Sequence, residues 1–156
     1  MVKKMLFFLI MISFILSCSS YQKVDTPKRE VVKINEVDLS KDDIYNRSLQ
    51  FIAENFKSAK AVIEYKDKES GRIIGNGSLM ISDGIMQRPA SFTMVIDIKE
   101  KKYRIIYKNL LYRPGTKMPW KPIDYAGPYN SMMKSLDELT IRFNDYLSKA
   151  NENKDF

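Results

Sequence analysis

The sequence predicts a two-layer α+β domain, an antiparallel sheet with two helices on one face. Three observations predict it. Several stretches place apolar residues at every second position, the pattern of strands with one buried face. Two others place them at helical spacing. Their order is β-α-β-β-β-β-α, and two helices with one apolar face each must cover the same side of the sheet.

The first strand is expected over residues 31–39, where Val31, Val32, Ile34 and Val37 form a β-branched run. Ser40 then offers an N-cap, and Asp42 and Asp43 fall in the first turn, where the helix dipole favours negative charge. Tyr45, Leu49, Ile52, Ala53 and Phe56 recur on one face, so this helix should run to about Phe56. Asp42 and Asp43 are adjacent helical residues that do not face each other, which makes them capping groups rather than a catalytic pair.

Four strands follow. Residues 59–65 put Ala61, Ile63 and Tyr65 on one face, and a polar turn leads to a partner strand over 72–82. Residues 91–99 alternate with Phe92, Met94, Ile96 and Ile98 inward. After Glu100, Lys101 and Lys102, the last strand covers 103–112. Residues 113–128 hold four prolines, two glycines and Trp120, the only tryptophan, and should contain no regular element. Met132, Met133, Leu136, Leu139, Phe143 and Leu147 mark a second helix over 129–149, and the polar residues 151–156 form a tail expected to fray.

Ahead of this domain, which spans residues 31–150, lies an address. Lys3 and Lys4 precede an apolar run from Met5 to Leu16 broken only by Ser13. The run is too short for a membrane span, which needs roughly 20 residues, but suits a signal peptide. Ile15, Leu16, Ser17 and Cys18 resemble the lipobox of bacterial lipoproteins, with Leu16 departing from the small residue usual at that place. The resemblance implies cleavage after residue 17, a diacylglyceryl group on the Cys18 thiol and a further chain such as palmitate on its amine. Two or more chains anchor stably where one does not. Cleavage removes Lys3 and Lys4 and takes the formal net charge from +7 to +5. The residues after Cys18 are Ser19, Ser20, Tyr21 and Gln22, with no inner-membrane retention Asp. Lipoprotein sorting therefore implies the periplasmic face of the outer membrane of a diderm bacterium. The stretch 18–30, lipidated Cys included, is expected to be a flexible tether whose twelve residues after Cys18 reach about 40 Å at most.

The composition narrows the chemistry. There is no histidine and a single cysteine, so Ser-His-Asp catalysis, imidazole switching, internal disulfides and multi-Cys metal sites are excluded. No motif calls for a cofactor or metal. An enzyme would need Ser/Lys, Tyr/Lys or paired carboxylates, and none stands at a telling spacing.

Three stretches resemble a known family: residues 40–45 opening the first helix, residues 55–65, and the glycine-bearing residues 71–77. The family is an uncharacterised bacterial lipoprotein domain family, a domain of unknown function with a TATA-box-binding-protein-like (TBP-like) fold. The similar region covers about residues 34–112, and no functional residues carry over. What the resemblance implies is the β-α-β-β-β-β-α unit. The TATA-binding protein has two such units in pseudo-symmetry, so a single copy implies a possible homodimer by fold analogy.

Three features remain. Gly75, Asn76 and Gly77 lie inside a strand, so they indicate a bulge or close backbone approach rather than a phosphate loop. Lys102, Arg104 and Lys108 share a strand face opposite Tyr103, Ile105 and Tyr107; they form either a solvated surface or an anion-binding one. Nucleic acid is not expected as a partner outside the cytoplasm. Trp120 lies in the long connection, where function often resides, and either pins that loop to the core or contacts a partner. The expected function is a non-enzymatic binding or assembly module for an envelope protein or ligand. The alternatives are a hydrolase or glycan-processing enzyme and an anion- or nucleic-acid-binding module.

Overall fold

A computed structural model of the chain describes residues 22–25, 27–56 and 62–149. The expected signal peptide and Cys18 lie outside the described residues, as do the start of the second expected strand and the tail.

The elements are β1 (Glu30–Glu36), α1 (Lys41–Asn55), β2 (Val62–Asp67), β3 (Arg72–Asp83), β4 (Met86–Lys99), β5 (Lys102–Tyr112), β6 (Lys121–Pro122) and α2 (Ala126–Ser148). The sheet is antiparallel in the order β1-β5-β4-β3-β2, with β6 beside the end of β5. Both helices pack on one face, as two amphipathic helices must. Phe51 of α1 meets Phe143 of α2 edge-on at 5.0 Å between ring centres, and Phe143 meets Tyr103 of β5 at 5.1 Å. The inward residues of β4 and β5, Phe92 to Ile98 and Tyr103 to Tyr107, are buried, and in β4 the outward Thr93 and Val95 are buried as well, so the expected alternation of burial holds in β5 but not over Phe92 to Ile96.

Polar groups inside this core are paired. The Tyr107 hydroxyl lies 3.0 Å from Thr140 Oγ1, and Tyr103 donates to Asn144 Oδ1 at 3.1 Å. Burial pushes the Tyr107 phenol up to about 12 and that of Tyr103 higher still. Ser40 caps α1, its Oγ accepting from the Asp43 N–H.

The structure corrects several sequence expectations. β4 begins at Met86, not at residue 91. Gly84, with φ +63°, closes a tight hairpin with β3. Pro89 is tolerated because its carbonyl accepts from Arg113 N at 2.9 Å, so its nitrogen faces the same side, where β5 has run out. α2 begins three residues early, at Ala126, because Pro128 falls in the first turn, where no N–H is needed. The connection expected to lack regular structure contains β6. In β2 a register shift between Ile63 and Tyr65 turns Tyr65 away from the core face. It is exposed and bonded to Asp67. The expected tether is also shorter. Val24 N donates to Asp124 O at 2.7 Å, Ala126 N donates to Gln22 O at 2.8 Å, and Arg29 pairs with Asp124. The chain is thus docked at Gln22, Val24 and Arg29.

Candidate functional site

The face of the sheet opposite the helices is uncovered. Side chains on it form rows that cross the strands, because facing residues of an antiparallel sheet interact as pairs. In one row Asp97 of β4 stands between Arg72 of β3 and Arg104 of β5. Arg72 Nε and Arg104 Nη2 each donate to it at 2.6 Å. Burial raises the Asp97 carboxyl, but the two guanidinium groups outweigh it and hold the group below the usual carboxylate range. The next row is apolar, Ile74, Val95, Ile106 and Val32. A third is polar and runs through amides and a hydroxyl to a carboxylate at its end. Asn109 donates to Thr93 at 3.2 Å, Thr93 to Asn76 at 2.9 Å, and Asn76 to Glu64. Asn109 has a φ of 54°, where asparagine is tolerated better than most residues.

Beyond this polar row the face deepens into a groove of about 680 Å³. Asn76, Ser78, Ser91, Thr93 and Asn109 supply amides and hydroxyls to it, and Met80, Pro89 and Leu111 supply apolar surface. The connection after β5 forms one wall. There the Arg113 guanidinium lies over the Trp120 ring, 4.8 Å from its centre, a cation–π contact. Among the described residues no carboxylate pairs with Arg113, and its buried Nε has no hydrogen-bond partner. The groove can hold a ligand by ring stacking, hydrogen bonds and one cation. Gly77 lies beneath it for a steric reason. A Cβ there would stand 2.3 Å from Phe92 Cζ, so what crowds this glycine is a side-chain ring and not the bulge or close backbone expected from the sequence.

The structure separates the residues singled out in the sequence. Trp120 is 39% exposed and sits in the groove wall rather than in the hydrophobic core. Lys102, Arg104 and Lys108 do not form a free cationic surface. Arg104 is committed to Asp97, Lys108 is half-buried opposite Glu30, and Lys102 is exposed at the far end in a shallow recess with Ile34. No group of three or more His, Cys, Asp or Glu residues among the described residues could hold a metal ion. No helix there is long and apolar enough to cross a membrane.

Comparison with known proteins bears on the whole arrangement. The sequence profile described as a domain of unknown function (DUF4468) with TBP-like fold matches residues 29–113, more than half of the chain. The chain belongs to the DUF4468 family. A solved DUF4468 family protein from Bacteroides ovatus superposes with a TM-score of 0.64 at 12% identity, over 82% of this chain and 90% of that one. A TBP-like protein from Parabacteroides distasonis gives 0.63 at 12% identity, over 76% and 91%. At such identity the likeness concerns the fold. No curated protein matches the chain.

The DUF4468 match ends at Arg113, so the groove floor falls within it and Trp120 beyond it. Sequence reasoning missed Asn76, Thr93 and Asn109 as a set. Their one signal was polarity at outward strand positions, which any solvated face shares.

Proposed function

We propose that this DUF4468 protein is a bacterial envelope lipoprotein whose domain is a non-enzymatic binding module, taking a protein or envelope ligand in the groove of its uncovered sheet face. The observation that carries this reading is the groove itself. It is concave and part apolar, with hydroxyls, amides and an unpaired guanidinium converging on it, the usual makeup of a binding site. The address rests on residues 1–18, which supply the signal peptide and the acylated Cys18 at the periplasmic face of the outer membrane.

Site-directed photo-crosslinking in intact cells tests the module. A photoreactive residue at Ser91, in the groove, should yield a discrete adduct. One at Ile141, exposed on the outer surface of α2, should not. Trp120→Ala should remove the Ser91 adduct while lowering stability by only about 1 kcal/mol, the worth of a half-exposed cation–π pair. No adduct from Ser91, or equal adducts from both positions, overturns the reading. Label from radioactive palmitate that Cys18→Ala abolishes, in protein fractionating with the outer membrane, tests the address.

A further inference from the structure

We infer that one end of the sheet is a bilayer-contacting surface, seated on the anionic phospholipid leaflet that holds the Cys18 anchor. The inference rests on the lipidation proposed above and goes beyond it to the orientation of the domain. Antiparallel pairing sets which loops share an end. Asp83 pairs with Met86 at the tip of the β3–β4 hairpin, and Ala90 pairs with Tyr112 at the finish of β5. The hairpin tip and the connection after β5 therefore lie at the same end. The docked residues 22–24 join them there through Asp124 and Ala126.

Exposed apolar side chains collect at this end. Ile85 is fully exposed at the hairpin tip, and Met80, Met86, Met118, Trp120 and Tyr125 are each between 39% and 55% exposed. They are six of the ten large apolar residues that the described part of the domain leaves in solvent. A cluster of that kind on a small domain marks an interaction surface. Lys23, Lys117 and Lys121 are exposed among or beside them. Of the acids nearby, Asp83 lies 4.0 Å from Arg88 and Asp124 is paired with Arg29, which leaves Asp25.

Chain length selects the partner. Only residues 19–21 separate the acylated cysteine from the docked segment, and the four residue steps from Cys18 to Gln22 reach about 14 Å. A surface held that close to a leaflet meets lipid before it meets a protein. Its chemistry suits the encounter. Tryptophan and tyrosine settle at the headgroup level, aliphatic side chains enter the acyl boundary, and lysines meet anionic headgroups.

Trp120, the only tryptophan in the chain, reports the outcome without a label. The full lipoprotein is reconstituted into vesicles of phosphatidylethanolamine and phosphatidylglycerol, with and without bromine on the acyl chains. Trp120 emission should be quenched by the brominated lipid. Ile85→Asp combined with Met118→Asp should abolish the quenching with the melting temperature retained, since both side chains are exposed. Equal emission from the two vesicle types overturns the inference. So does a blue shift without bromine quenching that accompanies a dimer dispersed by Ile85→Asp, which would assign the surface to a second copy. Palmitate labelling of the same preparation is read separately. Quenching without label keeps the surface and removes the anchor, and label without quenching does the reverse.

Discussion

Gly77→Ala is expected to destabilise the domain through one ring. The added methyl carbon would sit 2.3 Å from Phe92 Cζ, 2.7 Å from Cε2 and 2.9 Å from Cε1, so the ring must move by more than 1 Å to reach an ordinary contact near 3.5–4.0 Å. It has little room to do so. Phe92 is 2% exposed and is held edge-on by Tyr107 at 5.6 Å and Phe56 at 6.3 Å. Overpacking of this kind costs roughly 1–3 kcal/mol. Replacing glycine in a strand returns about 0.5–1 kcal/mol from the unfolded chain. The net expectation is a loss of about 1–2 kcal/mol, or roughly 3–10 °C in melting temperature for a domain of this size. Urea and thermal unfolding at neutral pH measure it. The double variant Gly77→Ala, Phe92→Leu carries the decisive comparison, because trimming the ring opens space for the new methyl. Its loss should fall short of the sum of the single losses by about 1 kcal/mol. A Gly77→Ala protein as stable as the parent, or strictly additive losses, would refute the reasoning.

Two further outcomes follow from ionisation. Tyr107, ordinarily near 10, is pushed up to about 12 by burial. A raised phenol contributes stability that is fully present below pH 10 and is lost as pH climbs through the folded value. Between pH 10 and 12 the urea midpoint should therefore fall, by roughly 2–3 kcal/mol of stability from this group. The fall should flatten in Tyr107→Phe, and a parent midpoint constant from pH 9 to 11.5 would contradict the burial argument. Asp97 works in the opposite sense. Its carboxyl is held below the usual range, so its contribution is present above the ordinary value of 3.8 and is lost as pH drops through the lowered one. Asp97→Asn should cost about 1 kcal/mol at low salt, because both guanidinium partners are about half exposed and such pairs are weak. It should also flatten the stability profile below pH 4, and an unchanged acid limb would disprove the pairing.

Much of the fold was legible because strands and helices announce themselves by period. The alternation over Phe92 to Ile98 and Tyr103 to Tyr107 required a sheet buried on one face, and the spacing from Met132 to Leu147 required a helix to cover it. The N-cap at Ser40 was also local, since a cap is made within one turn, whereas the Phe92 ring against Gly77 follows from strand register. The resemblance supplied the fold family, which the DUF4468 match then showed. The element ends were less legible. Pro128 read as a breaker with the rest of its connection, and it and Pro89 both sit where no backbone N–H is required, a fact that depends on where a neighbouring strand stops and where a helix turn begins.

The site depended on tertiary structure for the same reason. By itself the sequence determined the class of fold, its helices, the faces of its strands and the exclusion of histidine chemistry, because those follow from period, composition and nearest neighbours along the chain. It could not determine that Arg104 shares Asp97 with Arg72, or that Asn76, Thr93 and Asn109 form one polar row. Nor could it place Arg113 over Trp120, or Gln22 beside Ala126. Those contacts join residues that only strand register and the packing of the connection bring together. Register is set by the whole sheet, and a one-residue slip of a strand would send its side chains in these rows to the other face.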